Sequence, residues 1–149
     1  MRSFKHGDRL AVFGVALGLA FGMAGLAAAK QGGRPLEVTM TGAAETPKGD
    51  PDGTGKATLR INPGQGQVCY KLTVAKIATA TAAHIHKGAA GTAGGPVVPL
   101  KAPATGSVED CATVAKDVAE DMIKNPGNYY VNVHNAEFPG GALRGQLSK

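Results

Sequence analysis

Tyr129-Tyr-Val-Asn-Val-His-Asn-Ala-Glu-Phe-Pro-Gly-Gly-Ala-Leu-Arg-Gly-Gln-Leu147 is the stretch that decides the fold. Tyr129, Val131 and Val133 alternate with Tyr130, Asn132 and His134, the period-2 signature of a strand whose two faces differ. Phe138-Pro-Gly-Gly141 is a turn cluster, and Ala142 to Leu147 is short enough to be the returning strand of a β-hairpin. The alternation puts His134 on the face opposite the valines.

Similar patterns extend upstream. Leu36, Val38 and Met40 alternate with Glu37, Thr39 and Thr41; Ala57, Leu59 and Ile61 mark a second strand; Val68, Tyr70, Leu72 and Val74 mark a third, with Cys69 on its other face. Ile77 to Lys87 is extended and ends in Ala83-His-Ile-His-Lys87, a glycine loop runs from Gly88 to Pro96, and Val97 to Leu100 is a short strand. Residues 101 to 112 read as a Gly/Pro-rich connection carrying Cys111. Between Thr113 and Lys124 the period changes: Val114, Val118 and Met122 recur at helical spacing until Asn125-Pro-Gly127 stops them. Seven or so short strands, one short helix and no β-α-β rhythm predict a mainly β fold, an antiparallel Greek-key-like sandwich or small barrel.

The first 29 residues read as a signal peptide, with Arg2, Lys5 and Arg9 before an apolar run from Leu10 to Ala29 that ends in Ala27-Ala-Ala29. The expected cut precedes Lys30; the alternative is an uncleaved membrane anchor, for which the run is long enough. Residues 30–35 are expected to be a flexible start, and 36–149 one β domain in the periplasm or outside the cell, free of the membrane after cleavage. Cys69 and Cys111 are the only cysteines. In an exported chain such a pair predicts a disulfide, the alternative being two ligands of a metal site. The basic residues are spread thinly without aromatic interleaving, which excludes a nucleic-acid partner. The expectation is a monomer whose partner is an unidentified protein or extracellular ligand.

His84 and His86 share one strand face, with Ile85 on the other. If Ile85, Val131 and Val133 fill the core and the two strands pair, His84, His86 and His134 meet on the outer side. Three neutral imidazoles suit copper or zinc and leave a coordination position open. The competing reading makes them polar outer-face residues, bonded to Asn132, Arg144 or backbone. Asn132 is a candidate to support the histidines. Arg144 is a candidate for anion recognition beside them, or else a fork on strand-end carbonyls or Glu137. No catalytic residues emerge: Ser107 and Ser148 lack an acid/base constellation, and the Gly88 to Gly95 run is not a phosphate loop.

Thr41-Gly-Ala-Ala-Glu-Thr-Pro47, Cys69-Tyr-Lys-Leu-Thr-Val74, Ala83-His-Ile-His-Lys-Gly-Ala-Ala-Gly91, Asn125-Pro-Gly-Asn-Tyr-Tyr-Val-Asn-Val-His134 and Phe138-Pro-Gly-Gly-Ala-Leu-Arg-Gly-Gln-Leu147 together resemble the CHRD (chordin-type) domain, from about Leu36 to Leu147. The resemblance implies a secreted or cell-surface β domain and no established activity. In architecture the chain is also similar to copper-zinc superoxide dismutases. That similarity would match His84, His86 and His134 to copper ligands and Arg144 to an anion-guiding arginine. Gly88 to Pro96 contains no His or Asp, so the bridging imidazole and the zinc site have no counterpart. Two functional readings follow: an exported, non-enzymatic binding module, or a copper- or zinc-binding protein with dismutase-like redox chemistry.

Overall fold

A computed structural model describes residues 32–149; the signal peptide expected over 1–29 lies outside them. Eight strands and one helix follow in order: β1 (Arg34–Thr41), β2 (Thr54–Asn62), β3 (Gln67–Ala75), β4 (Ala80–Lys87), β5 (Pro96–Leu100), β6 (Ser107–Thr113), α1 (Lys116–Lys124), β7 (Tyr129–Asn135) and β8 (Leu143–Gln146). The first strand starts inside the segment expected to be flexible, because Arg34 and Pro35 already face Ile61 and Arg60 of β2. All pairings are antiparallel, in the order β5-β4-β7-β8-β1-β2-β3-β6.

The sheet curls into a nearly closed barrel whose two edges meet without a hydrogen-bonded ladder. Pro96 and Pro99 lie in β5 and lack the N–H groups that a central strand needs. Instead Lys101, just past β5, donates its backbone N–H to Tyr70 Oη at 2.8 Å, and its ammonium pairs with Asp110 of β6 at 2.7 Å. With the edges in contact, β4, β5 and β6 form a meander and β3 returns beside β6, a Greek-key arrangement.

The predicted apolar rows all turn inward. Leu59, Ile61, Leu72, Ile85, Val131 and Leu143 are among the fully enclosed side chains, and Met122 of α1 joins them. Gly145 of β8 is required there, since a Cβ at this position would lie 2.5 Å from the backbone oxygen of Thr39. Truncating Leu59, which has no exposed surface, to alanine is expected to remove about 2–5 kcal/mol of stability in urea denaturation.

Two boundaries differ from the sequence expectation. Residues 107–113, read as connection, form β6, an edge strand with no buried side chain and hence no alternation to detect. It is held by its ladder to β3 and by the disulfide between Cys69 and Cys111, which face each other in register. The helix begins at Lys116 rather than near Thr113, because Thr113 still pairs with Gln67 and Val114 donates its N–H to Gly66 O at 2.9 Å.

Candidate metal centre

The register of β4 on β7 sets opposite one another Ala82 and His134, His84 and Asn132, His86 and Tyr130. His134 is therefore diagonal to His84 on the outer face, within reach of a ring on each side. The β4–β5 register shifts between Ile85 and His86, where β5 carries the extra residue Val97, while the ladder to β7 stays regular, so His86 keeps the face of His84. The ring centroids of His84 lie 5.4 Å from His86 and 5.1 Å from His134, with His86 and His134 6.1 Å apart. One nitrogen from each ring falls within 4.8 Å of the other two.

Hydrogen bonds settle which nitrogens carry lone pairs. His86 Nδ1 lies 2.8 Å from Gly94 O, and His134 Nδ1 lies 3.0 Å from Pro139 O. A carbonyl only accepts, so both Nδ1 atoms carry the proton and both Nε2 atoms present a lone pair. His134 Nε2 meets His84 Nδ1 at 3.2 Å, with His84 donating. His86 Nε2 is buried and has no hydrogen-bond partner. Burial, reinforced by the neighbouring imidazoles, holds His84 below the usual histidine range. Burial does the same for His86, against an opposing contribution from its bond to Gly94. Both shifts favour the neutral ring, the form that binds metal.

The outer face expected from the sequence is not a solvent face. Asn132 and Arg144 are each only 2% exposed, because two loops lie over the strands. The Gly88 to Gly95 loop is held by Arg144, whose Nη1 donates to Thr92 O at 3.0 Å and Nη2 to Ala89 O at 2.8 Å. Gln146 Nε2 donates to Gly88 O at 2.8 Å. The other cover is the segment around Glu45, whose carboxylate accepts from Asn132 Nδ2. Arg144 thus forks onto loop carbonyls, neither strand ends nor Glu137, and Asn132 bonds Glu45 and Leu143 O rather than a histidine.

Glu45 and Tyr130 were given no role by the sequence reading. Each lies within a motif that carries the family resemblance, which was the signal available. Tyr130 stacks on His86 at 4.9 Å with the planes 13° apart, and the Arg144 guanidinium sits 3.5 Å from the Tyr130 centroid. Burial pushes the Glu45 carboxyl up to about 7, against the opposing pull of Arg144, Asn132 and the Thr46 N–H. Folding therefore gains from this proton below pH 4.5 and loses that gain as pH rises through about 7. Glu45→Gln is expected to match the parent near pH 4 and to exceed its stability above pH 8 by on the order of 2–3 kcal/mol in urea denaturation. Equal stability at both pH values would contradict the assignment.

An eight-stranded antiparallel barrel with a covered polar face and three converging imidazoles defines a small histidine-site β domain. The CHRD domain model matches residues 36–147, and the chain belongs to the CHRD domain family. No curated protein and no solved structure matches it. Among the described residues no helix is long and apolar enough to cross a membrane, and the disulfide indicates an oxidising compartment.

Proposed function

We propose that this is an exported, non-enzymatic binding domain whose ligand is a copper or zinc ion held by His84 Nδ1, His86 Nε2 and His134 Nε2. The observation that carries the reading is His86 Nε2, a buried acceptor without a hydrogen-bond partner, facing two further imidazoles. Leaving a buried polar atom unpaired costs about 1–3 kcal/mol, and a cation between the rings removes that cost. Three neutral nitrogens with no carboxylate or thiolate among them suit copper and zinc rather than calcium or magnesium, and copper binds more tightly at such sites. Gly94 O and Pro139 O supply the outer hydrogen bonds that orient ligating histidines. His84 would hold an ion through Nδ1 as its Nε2–H tautomer, a neutral ring.

Arg144 is enclosed and bonded to loop carbonyls, which favours holding a metal over guiding an anion to one. Export is supported by the Arg2 to Ala29 segment and by the disulfide. Elemental analysis of the protein recovered from its own export compartment, followed by calorimetric titration with copper and with zinc, tests the function. One ion per chain is expected. A chain that takes up neither metal at micromolar concentration sinks it.

A further inference from the structure

We propose that Arg144 is a positioning residue for the histidine site, acting through the glycine loop to hold Gly94 O against His86 Nδ1. The inference rests on the metal reading above and assigns Arg144 a part in it. Residues 88–95 contain only glycine, alanine and threonine, so the loop has no large side chain to anchor it and much backbone freedom to lose. Its anchors come from outside. Arg144 forks onto Ala89 O and Thr92 O, Gln146 bonds Gly88 O, and the Gly94 N–H donates to Tyr130 Oη at 3.1 Å.

Held this way, the loop folds back onto β4. The Lys87 N–H donates to Gly95 O at 3.0 Å, and a Cβ on Gly94 would fall 1.7 Å from Lys87 O. That close return places Gly94 O on His86 Nδ1 and forces the proton there, which leaves the Nε2 lone pair turned toward His84 and His134. A second path runs through the ring stack, since Tyr130 is in contact with both the Arg144 guanidinium and the His86 imidazole. None of the Arg144 hydrogen bonds goes to a histidine. Beyond its charge, which acts directly on His86, its influence on the site passes through the loop and through Tyr130.

The test uses the full disulfide-bonded chain and two readouts: calorimetric titration with copper and zinc, and nitrogen NMR shifts of the His86 ring without metal. Arg144→Gln is expected to weaken metal binding by about 10–100-fold and to release His86 from the Nδ1–H tautomer into a mixture. Arg144→Lys should recover only part of the affinity, because an ammonium cannot fork two carbonyls. Parent affinity and tautomer in Arg144→Gln would overturn the proposal. If circular dichroism shows that Arg144→Gln does not fold, Tyr130→Phe decides. It removes a single oxygen from the loop's attachment and should lower affinity several-fold, and an unchanged affinity there would also overturn the proposal. The two readings fail differently. Tautomer release in Arg144→Gln with no metal bound by the parent sinks the metal reading and leaves only a structural clamp. Metal bound by the parent with an unmoved tautomer sinks the clamp alone.

Discussion

His86→Ala is expected to abolish copper or zinc binding at micromolar concentration while leaving the barrel folded. The loss should exceed about a hundredfold, since removing only an outer hydrogen-bond partner of a metal ligand costs about 10–100-fold. His86 is the most enclosed of the three rings, at 9% exposure, and its Nε2 makes no other bond, so the substitution removes no hydrogen bond at that atom. The bond from Nδ1 to Gly94 O is lost, which loosens the loop but not the core. His84→Ala and His134→Ala should fall with it, because two nitrogens do not hold the ion where three do. Calorimetry of the three variants, with thermal unfolding to verify the fold, decides the matter. Three variants that bind metal like the parent would mean that the imidazoles are not the ligands.

Removing the disulfide is expected to have the largest effect on stability. Cys69 and Cys111 are 42 residues apart, and closing a loop of that length stabilises by about 4 kcal/mol in the chain-entropy model. The bond joins β3 to β6, an edge strand that packs only the partly buried Val108 and Ala112 against the core. Reduction, or Cys69→Ser with Cys111→Ser, should therefore lower the unfolding free energy by roughly 3–4 kcal/mol. It should also raise amide exchange first within Ser107–Thr113. Urea denaturation with and without reductant measures the first effect and hydrogen exchange the second. A loss below about 1 kcal/mol, with β6 as protected as before, would show that the ladder alone suffices.

The strands that line the core were legible because their signal is local. Leu36, Val38 and Met40, or Val131 and Val133, announce a buried face by alternation, and alternation requires only that one side of the strand meets the interior. β6 was not legible, since an edge strand whose side chains are all half-buried or exposed has no such contrast. The helix was legible in its stripe and not in its start, because Val114 is buried by pairing beyond the helix rather than by the helix. The histidines were legible as candidates. Glu45 was not, since its side-chain partner Asn132 is 87 positions away.

The amino-acid sequence by itself determined the barrel's inward rows, the closing hairpin and the placing of His84, His86 and His134 on the side away from the core. Those properties follow from a two-residue period that each strand carries alone. Only the tertiary structure decided that the three rings converge, that two loops cover Asn132 and Arg144 beside them, and that Arg144 grips the Gly88 to Gly95 loop. Each of these depends on the register between strands 50 residues apart and on backbone carbonyls brought back by a loop. Carbonyls are the same at every residue, so nothing in the side-chain sequence marks which of them will orient a histidine.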